Sequence, residues 1–181
     1  MPSIVLVNPE IPPNTGNIAR TCAATETPLH LVMPLGFELS DRYLKRAGLD
    51  YWPHVDLHLH ESNDDFWQHA QSKGGRLIGF SAKASDCYTE IAYQENDWLL
   101  FGCESKGLSP EDRSHCDIIT TIPMSSTGHV RSLNLSVCAA VGLFEALRQT
   151  NAPAQRSKIQ RTASEKENPV INSPFQKGTT Q

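Results

Sequence analysis

The sequence predicts an α/β fold, a mainly parallel sheet flanked by helices, on three observations. Short apolar runs alternate with helix-like segments along most of the chain. The strongest runs are continuous rather than alternating, as strands covered on both faces are. Polar loops follow the strands directly, and in a parallel sheet that is where ligands bind. Each element can be justified in order. "SIVLV" (3–7) is a buried strand, and Asn14 or Thr15 is placed to cap a helix through "TGNIARTCAATE". "LHLVM" (29–33) is the next strand, and Ser40 opens a short basic helix that Gly48 closes. "VDLHLH" (55–60) alternates with period two, the pattern of an edge strand. "SNDDFWQHAQSKGG" is a helix with an acidic first turn and a glycine stop. "RLIGFSA" (76–82), "DWLLFG" (97–102) and "DIITTIPM" (117–124) supply three more strands. A long helix from about Ser132 to Gln149 closes the domain.

After Thr150 the composition changes. Residues 151–181 are polar, rich in Pro, Ser and Gln, and lack apolar periodicity, so a domain over 1–150 with a disordered tail is expected. The tail holds five Lys/Arg against two Asp/Glu. The first 150 residues therefore carry 11 Lys/Arg against 18 Asp/Glu, a net charge of −7 within the whole-chain −4. Such a body repels nucleic acid except through a local basic patch. "DRYLKRAG", with Arg42, Lys45 and Arg46, offers one, although a solvated helix face has the same spacing. No apolar run approaches the ~18 residues of a membrane span. The chain opens on a strand with no basic leader, and its five scattered cysteines form no C-x-x-C pair. A reduced, cytoplasmic protein without a disulfide framework or a zinc site is expected.

Three loops concentrate the polar chemistry. "NPEIPPNTGNIAR" joins the first strand to its helix; its prolines stiffen it, and Gly16 is expected to allow close backbone approach. Asn14 lies near the helix start and Arg20 two turns in, a pattern that a capped helix with a surface arginine shares. "LLFGCESKGLSPE" ends a buried strand at Gly102, puts Glu104 at its carboxyl lip and reverses at Gly107. Glu104 is placed to accept hydrogen bonds from a ligand or a basic partner, or simply to face water. "TTIPMSSTGHVRSLNLS" delivers Ile122 and Pro123 into a Ser/Thr/Gly loop, and then crowds Arg131, Ser132, Asn134 and Ser136 around a helix start. Helix N-termini present unpaired N–H groups and partial positive charge. A single capping side chain would suffice there, so four polar residues point to a site.

Taken together and in this order, "NTGNIAR", "LFGCESKGL" and "IPM…RSLNLS" resemble the three motifs of the SpoU branch of the SPOUT RNA methyltransferases. The resemblance is greatest to the small tRNA (cytidine/uridine-34)-2′-O-methyltransferases, whose "PEIPPNTGNIAR" and "RAGLDYW" are also present. It covers about residues 3–149. It implies a deep C-terminal trefoil knot, a homodimer whose two protomers complete each site, S-adenosylmethionine as methyl donor and tRNA as substrate. Position by position, it implies cofactor contacts at Phe80, Gly102, Ile122 and Ser132, with catalysis at Arg20, Asn134, Glu104 and Asn14. Arg42, Lys45, Arg46 and Arg131 are the expected RNA contacts. The loop "PMSSTGHVR" is about two residues longer than in near relatives.

The chemistry implied is displacement of an activated methyl by a ribose 2′-hydroxyl. Positioning and removal of the alcohol proton are its demanding parts. The family pattern points to Arg20 with an RNA phosphate, but a guanidinium with a pKa above ~12 is a poor base. Its expected role is to orient phosphate and ribose. Asn134 would hold the nucleophile, while Glu104 and Asn14 would fix Arg20 or the RNA. Three other readings remain: the same reaction on ribosomal RNA, a non-catalytic RNA-binding protein, and a generic nucleotide-binding domain. The last is disfavoured by the lack of a glycine-rich phosphate loop. His54, His58 and His60 lack a third ligand at metal-binding spacing and are expected as surface or edge-strand residues. Cys103 is expected as buried filler.

Overall fold

The computed structural model describes residues 1–39, 51–125, 127–130 and 132–150. The expected basic helix with Arg42, Lys45 and Arg46 lies outside the described residues, as do Arg131 and the 151–181 tail. The strands are β1 (Ser3–Val7), β2 (Leu29–Val32), β3 (Leu57–His60), β4 (Leu77–Phe80), β5 (Asp86–Cys87), β6 (Trp98–Phe101) and β7 (Ile118–Thr121). The helices are α1 (Pro12–Thr25), α2 (Asn63–Lys73), α3 (Pro110–His115) and α4 (Leu135–Thr150). Among the described residues these strands form one sheet in the order β3-β2-β1-β6-β4-β7-β5, with every neighbouring pair parallel. The strand order reverses between β1 and β6, the switch point at which the carboxyl ends of a parallel sheet open a crevice.

The continuous apolar runs have a direct cause. In β1, Ile4 and Leu6 point into one core with Ile18 and Ala19 of α1 and Leu143 and Ala146 of α4. Val5 and Val7 point into a second core with Phe66 and Ala70 of α2. Both faces are covered from Ile4 to Val7, so none of these four positions can be polar without losing burial worth about 1.5–3 kcal/mol per large side chain. Helix α2 follows its expected signals: Ser62 accepts from the Asp65 N–H, Asp64 and Asp65 occupy the first turn, and the helix stops at Gly74. Ser109 and Asp112 form a reciprocal capping box at α3.

Four expectations are corrected. Helix α1 begins at Pro12 rather than at Asn14 or Thr15, with Ile11 at the cap and no side-chain cap bond. The two prolines have the helical φ and no N–H to leave unpaired, so they start the helix unaided. Asn14 is thereby released from capping. Gly16 is not a point of close approach, because a Cβ there would meet only the Tyr51 hydroxyl at 3.9 Å. Helix α4 begins at Leu135, so Ser132 and Asn134 precede it and only Ser136 lies in its first turn. Finally, β3 is the expected edge strand, but His60 is buried, 4% exposed. The face it shares with His58 is covered by α2, where His30, His58, His60 and His69 pack ring against ring beside Trp98. The short strand β5, paired to β7 through Asp86 and Thr120, carries no sequence signal.

Candidate active site

At the carboxyl end of β6 the chain must turn back sharply. Gly102 packs so closely on Gly107 and Leu108 that any Cβ would collide with their backbone. Gly107, at φ +70°, completes the reversal, and its N–H donates to the Cys103 carbonyl at 2.8 Å. This hairpin holds Glu104 against the start of α1. Its carboxylate accepts from the Glu10 N–H (2.7 Å), the Ile11 N–H (3.2 Å) and the Asn14 amide (2.9 Å). Glu10 reciprocates, accepting from the N–H (3.0 Å) and hydroxyl (2.8 Å) of Ser105, bonds that hold its carboxyl below the usual carboxylate range. Two loops distant in sequence are thus clasped by two carboxylates.

The clasp continues into α4. With its amide nitrogen committed to Glu104, Asn14 can offer only its oxygen, and the Asn134 amide donates to it at 2.9 Å. Asn134 is left with its own oxygen, which accepts from the Ser136 N–H (2.8 Å) and hydroxyl (2.7 Å) and so caps α4. Charge at Glu104 therefore dictates the orientation of both amides in turn. The relay Glu104–Asn14–Asn134–Ser136 joins the three loops singled out in the sequence.

Beside the relay lies a cavity of about 440 Å³, a usual size for a small-molecule site. Phe80, Gly102, Ile122 and Ser132 all line it, as do Asn14, Glu104 and Asn134. One wall is apolar: Phe80 and Phe101 stack at 4.6 Å, flanked by Leu135 and Cys138. Gly142 of α4 backs this wall so tightly that a Cβ would come within 2.7 Å of the Phe80 ring. An aromatic and aliphatic wall, a position without a side chain at Gly102 and a polar rim fit a nucleoside-bearing ligand such as S-adenosylmethionine. Phe80, Gly102, Ile122 and Ser132 would hold it.

Arg20 is not in this cavity. It lies six residues beyond Asn14, and at 100° per residue that puts it about 120° around the helix, on another face. Arg20 is exposed and makes no hydrogen bond or ion pair among the described residues; its guanidinium lies over the Tyr51 ring, 5.4 Å from the centroid. Within one protomer the structure thus assembles Asn14, Glu104 and Asn134 but leaves Arg20 outside, and Glu104 fixes the loop at the start of α1 rather than Arg20. Glu10 and Ser105 are functional positions the sequence reading passed over; the short gap between Glu10 and Asn14 was the available signal. Lys83, Lys106 and Arg113, which line the cavity and its neighbour of about 400 Å³, were also missed, because isolated lysines carry no motif.

A parallel sheet with a cavity at its carboxyl edge, walled by aromatics and bordered by a relay of amides, defines an α/β protein with a small-molecule site. Residues 1–144 match the SpoU rRNA Methylase family, and the chain belongs to that family. A Synechocystis protein provisionally named tRNA (cytidine(34)-2′-O)-methyltransferase is 58% identical over 149 residues, 82% of this chain and 97% of that protein. A solved structure described as giving insights into the 2-OH methylation of C/U34 on tRNA aligns with a TM-score of 0.76 at 52% identity. It covers 82% of this chain and 95% of its own. An AdoMet-bound rRNA methyltransferase from Sinorhizobium meliloti aligns with a TM-score of 0.73 at 26% identity, over 81% of this chain and 56% of that one.

Proposed function

We propose that this protein transfers a methyl group from S-adenosylmethionine to the ribose 2′-hydroxyl of nucleotide 34, a cytidine or uridine, in tRNA. The observation that carries this reading is the relay that brings Glu104, Asn14 and Asn134 to the rim of one cavity. The names of the most similar relatives supply the substrate. The bound cofactor supplies an already activated methyl, so the side chains need not assist a leaving group. Their task is to place the hydroxyl in line with the methyl; its proton leaves to water by way of the RNA phosphate, as the sulfonium becomes a thioether. Asn134 presents its amide at the cavity rim, held by Asn14, for the ribose oxygen. Glu104 keeps the start of α1 in place, and Ser132 borders the cofactor.

Arg20 enters from a second copy of the chain. Val137 and Phe144, seven residues apart on α4, are 45% and 56% exposed, and Leu133 and Ile11 lie exposed near them in sequence or at the site. An apolar stripe of this kind supports a homodimer in which the partner subunit's Arg20 reaches the cavity and binds an RNA phosphate. Its guanidinium stays protonated at neutral pH and orients the nucleotide rather than removing a proton. Return of α4 from β7, at one side of the sheet, to β6 and α1 supports a C-terminal trefoil knot. No described helix is long and apolar enough to cross a membrane.

The test incubates the protein with labelled S-adenosylmethionine and bulk tRNA and maps the product by mass spectrometry. A 2′-O-methyl group at position 34 is expected, and Asn134→Ala should lose it. Label found only in ribosomal RNA, or no transfer to any RNA, would remove the assignment.

A further inference from the structure

Arg20 has to meet a phosphate with its donors correctly aimed, yet it sits on an exposed helix face without a hydrogen-bonding partner among the described residues. A free arginine side chain carries rotamer entropy, part of which is lost whenever it binds. Tyr51 is placed to reduce that loss. Its ring packs against the main hydrophobic core and lies beneath the Arg20 guanidinium, 5.4 Å from centroid to Cζ. Its hydroxyl donates to the Gly16 carbonyl at 2.7 Å. Gly16 and Arg20 are four residues apart, hence neighbours on one face of α1. The hydroxyl therefore fixes the ring one turn before the arginine that the ring supports. Residues 52–54, a short 3-10 turn stabilised by the His54 N–H bond to the Tyr51 carbonyl (2.9 Å), secure the other side of Tyr51.

We propose that Tyr51 is a positioning residue: its ring lies under Arg20 and pre-orders its guanidinium for an RNA phosphate. The cation–π contact consumes none of the guanidinium N–H donors, which stay free for a bidentate contact. The proposal rests on the tRNA reading above. It adds that the three loops alone do not make the site, and that the segment entering the 3-10 turn contributes to it.

The test is a double-mutant cycle on the full chain, read as tRNA dissociation constant and, separately, as the KM and kcat of methyl transfer. Tyr51→Leu should weaken tRNA binding about two- to fivefold, the size of an exposed cation–π contact, with the KM for S-adenosylmethionine unchanged. Tyr51→Phe, which keeps the ring where leucine could unsettle the fold and removes only its bond to Gly16, should lose less tRNA affinity than Tyr51→Leu. In an Arg20→Ala background Tyr51→Leu should add nothing. An equal loss in both backgrounds, or a change confined to the cofactor KM, overturns the proposal, because Tyr51 would then act through the fold or the donor site. Binding and turnover separate the two readings. A wild type that binds tRNA with this coupling but transfers no methyl refutes the function and leaves the role of Tyr51 standing.

Discussion

Asn134 does two things that a substitution can separate: its oxygen caps α4, and its amide donates to Asn14. Asn134→Asp retains the cap acceptor and deletes the donor. Near-wild-type thermal stability with at least a tenfold fall in kcat is expected, measured by calorimetry and methyl-transfer kinetics; parallel losses would mean the residue serves only the helix. Glu104→Gln is expected to be costlier to the fold. The new NH₂ must face at least one of three donors, from Glu10, Ile11 and Asn14, and a lost bond at this partly solvated site costs about 0.5–1.5 kcal/mol. Denaturant titration checks it. At this scale the sequence was legible for Asn14, Glu104 and Asn134, because motif spacing names residues. It was silent on Glu10, Ser105 and Tyr51, whose partners lie 35 to 95 positions away. Only tertiary structure brings such partners together.

Among the elements, strands were the more legible. Two-sided burial forces continuous apolar runs, so β1, β2, β6 and β7 could be placed to within a few residues. Helix starts were less so, since Pro12 and Pro13 did the work expected of Asn14, and the polar run before Leu135 belongs to the site rather than to α4. Helix α4 also shapes the cavity through Gly142. Gly142→Val should push Phe80 into the donor pocket and raise the KM for S-adenosylmethionine severalfold with less effect on that for tRNA, as initial-rate kinetics would show. A cluster of histidines, of which the sequence singles out only His58 and His60 on the edge strand, joins β2, β3 and α2. His30, 3% exposed, hydrogen bonds through Nδ1 to His60 Nε2 at 2.9 Å. Burial, reinforced by His58, His60 and His69, pushes its pKa down to about 3. His60 is lowered chiefly by burial and also by His69, against the opposing pull of Asp65, whose carboxylate lies 3.6 Å away. A histidine depressed in the folded state is protonated first in the unfolded chain. Its stabilisation is complete above about pH 6.5 and is lost as pH falls towards 3. Melting temperature should therefore drop between pH 7 and pH 5, at about 1.4 kcal/mol per pH unit from His30 alone once below 6. His30→Leu should flatten that slope.

For the molecule as a whole, the acidic body and the separation of Arg20 from Asn134 carry the strongest consequences. A net charge of −7 over residues 1–150 means that RNA is held only where cations gather locally, and each phosphate contact they make should add about −0.9 to the slope of log affinity against log salt between 50 and 200 mM. If the partner subunit's Arg20 completes each site, mixed dimers of Arg20→Ala and Asn134→Ala protomers contain one intact site. Random mixing should recover roughly a quarter of wild-type activity from two inactive variants. No recovery would place Arg20 in its own protomer's site. The most direct measurement of the central claim, that this cavity serves a ribose hydroxyl, compares two anticodon-bearing tRNAs that differ only at nucleotide 34. The account predicts that a 2′-deoxy residue there leaves binding intact and abolishes methyl acceptance. Undiminished label transfer to the deoxy substrate would contradict it.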